Sequence, residues 1–105
     1  MYFGGEGVSE DPAEAVKFFR MAAEQGDPEG QHKLGATLYL GLGVLQDYEE
    51  SHKWLSLAAA GGNKDAMKFR DEFVAKELSS SQLAHAQRLA REWQAKFESK
   101  NVKKD

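Results

Sequence analysis

Apolar residues along this chain fall in stripes at helical spacing, separated by short glycine-rich breaks. Ala15, Phe18, Phe19, Ala22 and Ala23 share one face of a segment from about Pro12 to Gln25. Leu34, Gly35 and Leu38 do so between about Pro28 and Leu40, and Trp54, Leu55, Ala58 and Ala59 between about Tyr48 and Ala60. A fourth stripe runs through Phe69, Phe73, Val74 and Leu78. In the last, from about Ser80 to Glu98, Leu83, Ala86, Ala90, Trp93 and Phe97 alternate steps of three and four opposite a polar face of Gln87, Arg88, Arg91, Glu92 and Lys96. The pattern predicts an all-α chain of about five helices.

Capping residues sit where these stripes begin. Asp11 precedes Pro12 with Glu14 three positions on, Asp47 is followed by Glu50, and Ser79 by Gln82, each an arrangement in which two side chains satisfy the free amides of a first helical turn. Asp27-Pro28 and Asn63 open the second and fourth helices. Gly26 ends the first helix, and so short a link before Pro28 forces its successor to lie antiparallel. The second and third helices are joined by the turn Gly41-Leu42-Gly43-Val44.

The chain also matches itself at an offset of 36: Gly5, Gly7, Val8, Asp11, Lys17, Ala22, Ala23 and Gly26 return as Gly41, Gly43, Val44, Asp47, Lys53, Ala58, Ala59 and Gly62, with Phe18 answered by Trp54. A period of this length is the signature of a solenoid, whose units bury their apolar faces against one another. Tyr2 and Phe3 align with Leu38 and Tyr39, so the first unit lacks most of its first helix. Either the chain is cut from a longer array, or Tyr2, Phe3, Val16 and Phe19 form an uncovered edge through which it pairs as a homodimer. In the third unit Arg70-Asp71 replaces the Leu-Gly pair and no glycine turn follows. Residues 1–98 are thus expected to form one domain: a partial repeat (1–26), a full repeat (27–62) and a degenerate repeat with a capping helix (63–98). Residues 99–105, with Lys100, Lys103 and Lys104, are expected to form a flexible basic tail.

The succession L-G, G-x-G-V, D, W, A-A and G is carried by Leu34, Gly35, Gly41, Gly43, Val44, Asp47, Trp54, Ala58, Ala59 and Gly62. Together with the half-unit before it, the succession resembles the Sel-one-like repeat (SLR) family, a branch of the tetratricopeptide-like helical solenoids, over about residues 2 to 66. Gly30, Leu38 and Ser51 depart from the family pattern, and Leu42 and Leu45 are more apolar than its turn requires. The resemblance implies an α-solenoid of antiparallel helix pairs with a C-terminal capping hairpin. It also implies adaptor or scaffold roles in signalling and complex assembly, often in bacteria.

Composition narrows the chemistry. With 41% hydrophobic residues in 105, the chain can bury a modest core but not a large enclosed active site. A net charge of −3 gives no support for binding nucleic acid. No apolar run approaches the about 18 residues of a membrane span, and MYFGGEGV is not a signal peptide. Cysteine is absent, which removes disulfides, thiolate metal sites and cysteine nucleophiles. Its absence also argues against the cysteine-rich secreted SLR branch linked to β-lactams, and fits the cytoplasm while leaving the periplasm open. His32, His52 and His85 lie on three different helices, Glu49 and Glu50 suit the start of a helix, and Ser79 to Ser81 suit a cap. No catalytic residue, cofactor site or metal site is expected, and an enzyme would need a cavity joining a histidine to a carboxylate.

A surface remains. If Leu34, Gly35 and Leu38 pack inward, Glu29, His32, Ala36, Tyr39 and Leu40 face the groove that the first helices of a solenoid line. The repeat offset adds Phe3 upstream and Asp65, Lys68, Glu72 and Lys76 downstream. An apolar centre with charges around it is the pattern of a surface that takes a protein or peptide.

Overall fold

The computed structural model describes residues 11–101. Five α-helices follow in order: α1 (Pro12–Glu24), α2 (Pro28–Leu40), α3 (Tyr48–Ala60), α4 (Lys64–Phe69) and α5 (Ser80–Asn101). Phe3, Gly5, Gly7 and Tyr2 lie outside the described residues, as do positions 102–105 of the tail. Within it, residues 99–101 continue α5 instead of leaving the helix at Glu98.

The caps work as their residue types require. Asp11 accepts from the Ala13 amide (3.0 Å), Asp27 from Gly30 (3.2 Å), Asp47 from Glu50 (3.0 Å) and Asn63 from Ala66 (2.9 Å). At α5 the box is reciprocal: Ser79 Oγ accepts from the Gln82 amide at 3.2 Å, and the Ser79 amide donates to Gln82 Oε1 at 2.9 Å. Each such cap contributes about 1 kcal/mol to its helix.

Successive helices run antiparallel and form a double layer. α2 and α4 lie parallel, because His32 meets Asn63 and, further along both, Tyr39 meets Phe69. α3 and α5 also run parallel, since Glu49 meets His85 and Trp54 meets Trp93. The described residues therefore build an all-α solenoid of helix pairs. α3 is its central element and divides two cores. On one side Trp54 and Leu57 join Val16, Ala23, Leu34 and Leu38; on the other Leu55 and Ala58 join Ala66 and Val74.

Small residues set how closely the helices approach. A methyl group on Gly35 would lie 2.6 Å from Leu55 Cγ, and one on Gly30 would lie 2.5 Å from Ala22 Cβ. Gly30 thus has a reason to depart from the family pattern. So does Ser51, which is fully buried and donates its hydroxyl to the Gly35 carbonyl at 2.7 Å. Ala23 and Ala58 are fully buried, and Ala59 is half-buried beside Gly62, whose amide bonds back to its carbonyl.

Three expectations need correction. Phe18 matches Trp54 by offset, yet Trp54 is fully buried and Phe18 is 59% exposed. Trp54 is covered by α1 and by Trp93 of α5, and among the described residues no helix takes the equivalent place over Phe18. Conversely Val16 is buried and Phe19 packs on the same core, so the apolar residues that α1 exposes are Phe18 and Met21, not Val16 and Phe19. The fourth helix also does not read straight through. It changes into a π-helical turn (Arg70–Val74) and then a 3₁₀ turn (Ala75–Glu77). A π turn aligns residues five apart. It brings Phe69 and Val74 onto one face toward α3, while Arg70, in the place of Leu34, points its guanidinium to Ser56 Oγ (3.2 Å) instead of filling a core.

Candidate protein-binding surface

The seam between α2 and α4 assembles most of the residues that the helical phase places in the groove. Glu29 is exposed and pairs with Lys33 at 3.6 Å. One turn on, His32 is half-buried, its Nδ1 3.3 Å from Asn63 Nδ2, and Ala36 is half-buried beyond it. Tyr39 is half-buried against Tyr48 (ring centres 5.4 Å apart) and edge-on to Phe69 (5.2 Å). Leu40 is 56% exposed, and Lys68 and Glu72 are exposed on the α4 side. The row of rings continues from Phe69 to Phe73 at 5.3 Å, where Phe73 is 44% exposed. Phe69 and Phe73 look like core in the sequence; the π turn is what carries Phe73 toward the surface. Tilted and edge-on aromatic pairs of this kind contribute about 0.5–1.5 kcal/mol each beyond the area they bury.

On the opposite layer α5 stands off the Arg70–Val74 turn and leaves a cleft of about 410 Å³, floored by His52 and Ser56 and walled by Arg70, Asp71, Gln87 and Arg91. A histidine and a carboxylate thus do share a cavity. Their hydrogen bonds run elsewhere: His52 Nδ1 to Ser56 Oγ at 3.3 Å, and Asp71 to the Arg70 guanidinium at 2.8 and 3.3 Å. Burial holds the His52 imidazole below its usual pKa, helped by the Arg70 charge and opposed by Asp71. The Arg70 hydrogen bond holds Asp71 below the ordinary carboxylate range. The cleft therefore has a neutral imidazole and an ion-paired carboxylate, without the carboxylate-to-imidazole bond that orients a catalytic base. The other close pair, His85 with Glu49 at 2.5 Å, joins α5 to the start of α3. Among the described residues no group of three His, Asp or Glu side chains could hold a metal, and no helix is long and apolar enough to cross a membrane.

The profile of the Sel1 repeat matches residues 1–27 and 28–63. The chain belongs to the Sel1 repeat family. Its fold is that of a solved member: it superposes with a TM-score of 0.82, at 30% identity and over 96% of its length, on the crystal structure of c5321, a protective antigen present in uropathogenic Escherichia coli strains displaying an SLR fold. It is also 36% identical over 75 residues to DAP3-binding cell death enhancer 1 of Rattus norvegicus, across 70% of this chain. The chain spans 15% of that relative and 23% of the c5321 chain. Sel1 repeats mediate protein interactions and are typically non-catalytic.

Proposed function

We propose that this Sel1 module is a non-catalytic adaptor that holds a protein or peptide partner on the α2–α4 face. Glu29, His32, Ala36, Tyr39, Leu40, Lys68 and Glu72 make the contact; Phe3, outside the described residues, joins this reading by the repeat offset alone. The observation that carries this is the row of rings Tyr48–Tyr39–Phe69–Phe73, flanked by exposed Leu40 and by charges of both signs. An apolar centre with a charged rim is where interface energy concentrates. The name of the rat relative, a DAP3-binding protein, agrees in kind.

The test compares proteins retained from source-cell lysate by the wild-type chain and by Tyr39→Ala/Leu40→Ala. A partner captured by the first and lost by the second, with helical circular dichroism kept, is the expected result; equal capture refutes the assignment of the face. A second reading is self-association through α1, where Phe18 is 59% and Met21 63% exposed. Light scattering across a wide concentration range decides it: a dimer abolished by Phe18→Ser/Met21→Ser supports this reading, and a strict monomer refutes it.

A further inference from the structure

The turn between α2 and α3 is held shut by its backbone. The Asp47 amide donates to Leu38 O (3.0 Å), the Leu42 amide to Thr37 O (3.2 Å), and Gln46 Nε2 to Tyr39 O (2.9 Å), while Val44 packs on the core. Its other large side chains have no such use: Leu42 is 51% exposed and Leu45 88%. The repeat itself does not call for leucine there, since Glu6 and Ser9 stand 36 positions earlier in the sequence. Apolar side chains held out on a closed turn, where the matching sequence positions are polar, mark a contact surface.

The surroundings select its occupant. The turn abuts the start of α1 at Pro12, which brings exposed Asp11 and Glu14 to one side, and Asp47, Glu49 and Glu50 begin α3 on the other. Glu50 has Lys53 at 3.9 Å and Glu49 has His85, while Lys17 lies a turn further along α1. Residues 34–52 contain no Lys or Arg. An acidic rim repels an anionic lipid surface and opposes a second copy of itself across a two-fold axis. We propose that the Leu42–Leu45 turn, between the acidic starts of α1 and α3, docks a basic amphipathic helix of a partner protein. This surface is separate from the α2–α4 face; Leu40, which borders both, is left unchanged in the test so that the two fail independently.

The probe is a fluorescein-labelled Lys–Leu peptide with leucines at helical spacing, titrated with the full chain by fluorescence anisotropy. The variant Leu42→Glu/Leu45→Ser installs the residues that stand 36 positions earlier in the sequence, and Leu45→Ser alone serves should the double variant lose helical circular dichroism. Losing two leucine contacts weakens binding by roughly 10-fold or more. Because Leu42→Glu adds a negative charge, attraction by charge alone would tighten binding instead, so the direction of change discriminates. Unchanged or tighter binding by the variants overturns the proposal, as does no binding of the peptide at wild-type chain concentrations up to about 200 μM. Wild-type binding to phosphatidylglycerol vesicles in place of the peptide, or a wild-type dimer that the variant abolishes, also overturns it.

Discussion

Gly41 and Gly43 adopt nearly the same backbone angle, φ +73° and +74°, and for any L-residue that left-handed conformation costs about 1–2 kcal/mol. Their surroundings differ. A methyl group on Gly41 would meet Gln46 Cβ at 3.3 Å, a contact relieved if the turn gives by a few tenths of an ångström. On Gly43 it would fall 2.5 Å from the Pro12 carbonyl oxygen and 2.6 Å from the Ala13 nitrogen, main-chain atoms fixed by the first turn of α1. Overpacking of that kind adds about 1–3 kcal/mol. Gly41→Ala should therefore cost about 1–2 kcal/mol and Gly43→Ala about 2–5 kcal/mol. For a chain of this size each kcal/mol lowers Tm by about 4–8 °C. Thermal and urea unfolding followed by circular dichroism at 222 nm should place Gly43→Ala below Gly41→Ala by at least about 5 °C. Pro12→Ala should not rescue the difference, since the colliding atoms belong to the backbone. Equal losses for the two glycines would refute the argument that the second is required by contact with α1 and not by φ alone.

Three further outcomes follow from named contacts. Trp93→Ala removes the edge contact to Trp54 (5.5 Å), the stack on Phe97 (4.8 Å) and the hydrogen bond to Glu24 (2.9 Å). Half-buried, Trp93 should cost about 2–3 kcal/mol in urea unfolding, less than a fully buried tryptophan, and hydrogen exchange should show α5 freed first. Ser51→Ala should change stability by less than about 1 kcal/mol, because the Gly35 carbonyl keeps its place in the helical ladder of α2. The folded pKa of His52 lies below its unfolded value of 6.5, so between the two the unfolded chain binds more protons. Its contribution to stability is full above 6.5 and is lost as pH falls below it. Tm should drop on acidification through that window, and the drop should be smaller in His52→Gln; identical slopes would count against the assignment.

How much of this was legible depended on range. Caps act within four residues, so Asp11, Asp47, Asn63 and the Ser79/Gln82 box could be placed from the sequence, and helices α2 and α3 begin and end where expected. The α2 face was likewise readable from helical phase. That Tyr39 rests on Phe69 was not, since it depends on a neighbouring helix whose widened turn has the same apolar spacing as an ordinary one. Phe18 misled because offset records similarity of residue and not of surroundings: Trp93 of α5 lies against Trp54, and among the described residues no helix covers Phe18. Leu42 and Leu45 stood out as apolar in a turn, and the structure adds that they are 51% and 88% exposed and belong to neither core among the described residues.

The reach of α5 has a consequence for how the chain folds. Repeat arrays fold by neighbour-to-neighbour propagation, and their ends can fray independently. Here Trp93 bonds to Glu24 across 69 positions, and the Phe97 ring lies against Gly26 at the end of α1. The last helix thus spans α3 to touch the first, so the C-terminal end cannot release without also disturbing α1. Long-range closure slows folding relative to a purely local array, because the loop entropy must be overcome before the contact forms. In exchange, the repeats are coupled into one cooperative unit, with a single unfolding transition where a simple stack would melt unit by unit.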